Sequence, residues 1–195
     1  MLKIGGLTPF TTIDYPDHLS AVLFCRGCPW RCGYCHNRSL LEADAAGDIC
    51  WDKVLAFLES RRGLLDAVVF SGGEPTLQTS LKQAVLAVRE MGFLVGLHTA
   101  GAFPLNLKEV LPSLDWVGMD IKAPFHEYER ITGVPGSGDA ARESALLVRE
   151  SGVAHHFRTT LDPLLLKEGR IESLRRMVGQ EWGSLLIEQQ ISPCS

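Results

Sequence analysis

The chain has 195 residues, of which 46% are hydrophobic and 22% charged, with a net charge of −4. That composition belongs to an ordinary globular domain and excludes a disordered or fibrous chain. The mild acidity offers nothing to a nucleic acid or an anionic membrane, so neither is expected as a partner. No apolar run approaches the ~20 residues that span a bilayer, and the start, Met1 to Gly6, turns polar too early for a signal peptide. A cytoplasmic location follows as the expectation. In a reducing compartment the six cysteines read as metal ligands or catalysts rather than as disulfides. Neither a repeat nor a linker interrupts the chain, which predicts one domain over 1–195.

Short apolar runs predict six strands: Ser20 to Cys25, Asp66 to Ser71, Phe93 to Thr99, Asp115 to Lys122, Val153 to Thr160 and Ser184 to Gln189. Such continuous runs suit strands covered on both faces, as in parallel sheets. Helix-type stretches lie between them. Asp52 to Arg61 carries Val54, Leu55 and Leu58 at helical spacing, with Asp52 as candidate N-cap. Gln78 to Met91 carries Leu81, Val85 and Val88 and meets a stop at Gly92. Asp139 to Ser151, ended by Gly152, and Gly169 to Val178 read similarly. Alternating strands and helices predict an α/β fold with a mostly parallel sheet, a partial (β/α)6 TIM-like barrel; a doubly wound sheet is the alternative. In both, ligands collect at the C-terminal ends of the strands. The chemically distinctive residues fall there: Cys28 to Cys35, Gly72-Gly73-Glu74-Pro75, His98-Thr99, Asp120 with Lys122, and Arg158.

The segment from Cys25 to Asn37 reads CRGCPWRCGYCHN. Cys28, Cys32 and Cys35, spaced x3 and x2, can each ligate one iron of a 4Fe–4S cubane and leave the fourth iron open. Cys25 added to the set would instead make four thiolates for a structural zinc. Zinc modules usually split their ligands into two separated pairs, and Cys25 ends an apolar strand where a buried free cysteine is common. Cys50 and Cys194 have no partner in sequence and read as incidental.

C-x3-C-x2-C directly after a strand, with an aromatic residue (Tyr34) before the last cysteine and Gly72-Gly73-Glu74-Pro75 one unit later, resembles the radical S-adenosylmethionine (SAM) superfamily. The resemblance implies one 4Fe–4S cluster on Cys28, Cys32 and Cys35, with SAM bound at the open iron. It assigns Gly72, Gly73 and Glu74 to the methionyl amino group, and Tyr34 and His36 to the adenine. Asp120-Ile121-Lys122 resembles the Asp-x-Lys contacts of glycyl-radical-enzyme activases, which places Ile121 with its neighbours among the expected SAM-binding residues. Lys122 is then expected at the SAM carboxylate, and Asp120 at SAM or an incoming peptide; an ion pair between them is the structural alternative. Arg158 is expected at the carboxylate or ribose, or paired with an acidic neighbour. His98 is a pocket candidate. His155 and His156 face opposite ways, so at most one can reach the pocket. His18 and His126 read as surface residues.

Thr11-Thr12-Ile13-Asp14-Tyr15-Pro16 and Tyr34-Cys35-His36-Asn37 resemble the T-x-x-D-Y-P and Y-C-H-N segments of anaerobic ribonucleoside-triphosphate reductase activating proteins, with Asp17 where that family usually has glycine. The resemblance implies an oxidoreductase that cleaves SAM reductively and takes a glycine Cα hydrogen from a glycyl radical enzyme. A flavodoxin or ferredoxin is then the expected electron donor. Two alternatives stand beside it. One is a radical SAM enzyme acting on a small molecule, like the 7-carboxy-7-deazaguanine synthases. The other is a non-catalytic, zinc-stabilised binding module.

Overall fold

The computed structural model describes residues 2–43, 49–163, 165–166, 169–184 and 186–190; Cys194 lies outside them. Seven strands form one open sheet in the order of the chain, β1 to β7. They are β1 (Ile4–Thr11), β2 (Ser20–Cys25), β3 (Ala67–Gly72), β4 (Leu94–Thr99), β5 (Trp116–Asp120), β6 (Ala154–Thr160) and β7 (Leu186–Gln189). β1 pairs antiparallel with β2, and every later pair is parallel. The six expected strands are therefore the parallel set, and the sequence reading lacked a seventh at the antiparallel edge. β1 escapes pattern reading because IGGLTPFT holds two glycines and a proline and little alternation. Proline is confined to edge strands, which is where Pro9 stands.

Helices fill the crossovers: α1 (Trp51–Glu59), α2 (Leu81–Glu90), α3 (Pro104–Val110), α4 (Tyr128–Thr132), α5 (Ser137–Glu150) and α6 (Arg170–Arg175), the last continued by a π-helical turn. The strand order never reverses, so the sheet has no switch point and the doubly wound alternative falls. Parallel neighbours joined in chain order by right-handed crossovers carry their helices on one face and curl the sheet toward a barrel. α3 and α4 are too short for periodicity to find. The N-cap of α1 is Cys50; the expected cap, Asp52, lies in the first turn, where its charge suits the helix dipole. No described helix is long and apolar enough to cross a membrane.

Strand alternation divides the residues between two cores. Leu23, Phe70, Leu97, Val117, Met119 and Phe157 face the helices in the main core. The opposite, inner face carries Val22, Val69 and Trp116, with Tyr15. Tyr15 belongs to the segment between β1 and β2, which turns back beneath the sheet. Its ring packs on Trp116 at a centroid distance of 5.4 Å. An added Cβ on Gly96 would lie 3.0 Å from that ring. The Thr11–Pro16 segment is thus the floor of the open barrel. Asp17, just after it, has φ of 60°, a left-handed conformation that glycine adopts freely and that aspartate tolerates.

Candidate active site

The C-terminal ends of the parallel strands open into a cavity of about 250 Å³. Its lining includes Cys28, Cys32 and Cys35 after β2, Gly72 and Gly73 after β3, His98 on β4, Asp120 and Lys122 from β5, and Arg158 on β6. Residues from five strand ends thus meet, as parallel α/β sheets require of a ligand site. Tyr34 and His36 line it as well.

The cysteine loop is pinned at both ends. Its base is closed by Gly27 N–H to Leu40 O at 2.7 Å and Cys28 N–H to Leu41 O at 3.1 Å. Its tip is held to α4 by Arg31 N–H to Thr132 O at 2.8 Å and by Trp30, 3% exposed, edge-on to Tyr128. Burial pushes the Cys28 thiol up to about 11 and raises that of Cys32. Deprotonation there needs a cation or a metal to offset the desolvation. Cys25 is different. It is fully buried in the helix-side core and does not line the cavity, so the four-thiolate arrangement is not assembled. Among the described residues no three metal-ligating side chains are gathered around a single-ion position; a cubane asks only that each thiolate meet its own iron. Cys50 is exposed.

The two glycines after β3 serve the chain rather than open space. Gly72 has φ of 107°, and a Cβ there would stand 2.5 Å from Cys25 N and 2.6 Å from Cys25 O. A Cβ on Gly73 would collide with the backbone carbonyl of Gly27. This contact lets Gly73 N–H reach Cys25 O at 2.9 Å and Glu74 N–H reach Gly27 O at 2.7 Å. The Asn37 side-chain amide donates to Gly72 O at 3.3 Å. The turn and the cysteine loop are therefore one zipped unit.

Two residues expected at SAM do not line the cavity. The Glu74 carboxylate, fully buried, does not line the cavity. It accepts from Thr76 N–H, Thr76 Oγ1, Thr99 Oγ1 and Ala100 N–H, so its oxygens are committed to joining the β3 turn to the end of β4. Ile121 also points away, into the helix-side core. His98 does line the cavity, yet both ring nitrogens are engaged: Nε2–H donates to Asp14 O at 2.9 Å, and Nδ1 lies 3.4 Å from the Ser71 hydroxyl. Burial, then Arg158, lowers the His98 pKa to about 3, so the ring is neutral. His155 and His156 line a second cavity at the opposite pole, with Tyr15, His18 and Trp116; neither reaches the site. His18 is partly buried against Tyr15 rather than free at the surface. His126 is exposed, as expected.

Asp120 is the electrostatic centre of the far wall. Arg158 Nε donates to its Oδ1 at 3.0 Å, Arg158 Nη2 is 2.9 Å from the same oxygen, and Lys122 Nζ stands 3.6 Å from Oδ2. Burial opposes the charged form, but Arg158 and Lys122 outweigh it and hold the Asp120 carboxyl below its usual range. One carboxylate between two cations leaves positive charge for an anionic ligand group. Gly118 makes room for this pair: a Cβ there would crowd both Trp116 and the Arg158 guanidinium.

Sequence reasoning missed Tyr128. It is fully buried, and its hydroxyl accepts the Lys122 N–H at 2.9 Å while its ring backs Trp30. Nothing in its own stretch signals this, because both partners come from other elements. The signal for Trp30 was present, an aromatic residue between two cysteines.

A family model, the radical SAM superfamily, matches residues 22–177. The chain belongs to the radical SAM superfamily. Among curated relatives, this radical SAM protein is 31% identical over 185 residues to a Methanocaldococcus jannaschii protein named for glycyl-radical enzyme activation, covering 90% of this chain and 75% of that one. It is also 31% identical over 139 residues to the pyruvate formate-lyase-activating enzyme of Clostridium pasteurianum, covering 68% and 58%. Among solved structures, the fold is shared with SuiB of Streptococcus suis bound to its precursor peptide, at TM-score 0.65 and 18% identity, over 88% of this chain and 38% of that one. It is shared too with QueE from Escherichia coli, at TM-score 0.53 and 15% identity, over 96% and 93%. The chain spans 75% and 58% of the two curated relatives' lengths.

The donor set fits the cofactors of the superfamily. Three thiols and a Lys–Arg pair line one cavity. Tyr34, over which Lys122 Nζ lies at 5.6 Å from the ring centroid, carries a buried hydroxyl with no hydrogen-bond partner among the described residues.

Proposed function

We propose that this chain activates a glycyl radical enzyme, removing a Cα hydrogen from one glycine of its partner. The carrying observation is the convergence of Cys28, Cys32 and Cys35 with Asp120, Lys122 and Arg158 on one cavity. Cys28, Cys32 and Cys35 would hold one 4Fe–4S cluster, and SAM would lie between them and the β5–β6 wall. When bound, the two supply reductive cleavage of SAM and a hydrogen-abstracting carbon radical. The chain's residues do the positioning. Lys122 and Arg158 attract the methionyl carboxylate, and Asp120 fixes both cations. Tyr34 and the His36 backbone border the adenine. The Gly72–Gly73 turn offers backbone to the amino group, while Glu74 holds that turn in shape. The unclosed sheet leaves an entry for a peptide loop, and a bound partner would exclude water.

We assign anaerobic ribonucleoside-triphosphate reductase as the partner, on the Thr11–Pro16 and Tyr34–Asn37 resemblance. Thr11–Pro16 lies at the barrel floor, so it bears on the partner through kinship rather than contact. A flavodoxin or ferredoxin in the cytoplasm is the assigned electron source.

Formation of 5′-deoxyadenosine tests the reading. With reductant, SAM and the reconstituted chain, it should be slow alone and rise on adding the reductase. Fast turnover with a small pterin and no protein partner would instead support the small-molecule reading. A colourless protein holding one zinc would end both.

A further inference from the structure

Reductive cleavage at this site consumes one electron per event, and the electron must cross the protein surface. This inference rests on the proposed activity and adds the place of entry. The cysteine loop has two sides. Cys28, Cys32, Tyr34 and Cys35 line the cavity, whereas Arg31, Gly33 and Arg38 are exposed and do not line it. Gly33, between Cys32 and Tyr34, is bare: a Cβ added there meets nothing within 4 Å. No side chain of its own therefore separates an approaching protein from the loop backbone that joins two of the thiols.

Two arginines flank this bare point. Arg31 Nη1 donates to Cys28 O at 2.6 Å and to Trp30 O at 3.1 Å. Arg38 Nη2 donates to Gly33 O at 2.8 Å. A guanidinium has five N–H donors, so these bonds orient both groups and leave donors facing outward. Among the described residues, no ion pair of either arginine is found. Between Gly27 and Leu41 the only charged residues are Arg31 and Arg38, with Glu42 the next, in a chain whose net charge is −4. The Cys28–Cys35 loop and its Arg38 flank thus carry positive charge on an acidic protein. An anionic partner would be repelled by the chain as a whole and drawn to this face, which orients it as well as attracting it.

We propose that the Arg31–Gly33–Arg38 face is the docking site of an acidic protein that carries single electrons. One electron leaves the carrier, oxidising it by one, and one is gained behind Cys28, Cys32 and Cys35; no proton or group is transferred.

The test is anaerobic stopped-flow reduction of the reconstituted protein by flavodoxin hydroquinone, an acidic one-electron donor, without any glycyl radical enzyme. The double variant Arg31→Glu/Arg38→Glu should be reduced at least about tenfold more slowly at low ionic strength and should lose the salt dependence of the rate. Its iron content, SAM affinity and reduction by dithionite should match the parent. Arg31→Lys/Arg38→Lys should keep the flavodoxin rate within about twofold, since charge rather than the fork geometry does the steering. If the glutamates cost iron, Arg31→Gln/Arg38→Gln decides, with a rate several-fold below the parent expected. A flavodoxin rate unchanged in an iron-replete variant overturns the proposal. So does an unchanged rate accompanied by weaker binding of the reductase, which would give the face to that partner. Because no glycyl radical is read, failure of the activase assignment leaves a different signature.

Discussion

The imidazole of His98 donates from Nε2 to the carbonyl of Asp14 at 2.9 Å, tying the wall of the cavity to the segment that floors the barrel. Asp14 also accepts from Thr11 Oγ1 at 2.7 Å, and Tyr15 beside it packs on Trp116. Thr11 and Asp14 of the T-x-x-D-Y-P motif therefore connect to the cavity wall through His98, and Tyr15 through Trp116, which stands edge-on to His98.

Burial of the His98 ring, and Arg158 beside it, give it a pH signature. The neutral ring is favoured in the fold, with a pKa of about 3 against 6.5 for a free histidine. Between those values the unfolded chain holds one more proton than the native one, so stability rises with pH across the window and is lost as pH falls below 6.5. Going from pH 7 to pH 5 should cost the protein about 2 kcal/mol through this residue. Urea unfolding of the cluster-free protein at the two pH values should show this loss, and His98→Gln should reduce it.

Glu74 offers a second check on architecture. Its carboxylate accepts four hydrogen bonds at full burial. Glu74→Gln replaces one accepting oxygen with a donor that must face other donors. A loss of about 1–3 kcal/mol in unfolding free energy is expected. A merely ligand-facing glutamate would leave the cluster-free stability unchanged.

The cysteines divide by environment. Cys28→Ala, Cys32→Ala and Cys35→Ala should each abolish iron binding after anaerobic reconstitution, measured by iron content and visible absorption. Cys25→Ala should keep the iron and lose about 1–2 kcal/mol of stability, as for truncation of a small buried side chain.

Tyr128→Phe keeps the ring against Trp30 but leaves the Lys122 N–H without its acceptor. The expected outcome is normal iron content with SAM bound several-fold more weakly, read by equilibrium binding. An unchanged affinity would separate Lys122 from the carboxylate role proposed for it.

Much of this site was legible in the sequence because its parts are local. The C-x3-C-x2-C spacing, the Gly72–Gly73 turn and the Asp120–Lys122 pair each lie on one strand end, and parallel topology gathers strand ends. What stayed hidden depends on distant partners. Glu74 looks like a ligand until Thr76, Thr99 and Ala100 are found around it. His98 looks free until Asp14 arrives from 84 positions away. Tyr128 is silent because its hydroxyl and ring serve two other elements. β1 was missed because an edge strand with glycines and a proline carries no period-two signal. Ile121 followed from its neighbours in sequence, but strand alternation turns it to the helix side.

Isotope transfer tests the activase assignment most directly. Reductase labelled with α-deuterated glycine would be incubated anaerobically with this chain, SAM and reductant, while electron paramagnetic resonance is recorded. The account predicts a glycyl radical signal and one deuterium appearing in 5′-deoxyadenosine for each radical formed. Unlabelled 5′-deoxyadenosine with no glycyl signal, from protein with its iron intact, would contradict it.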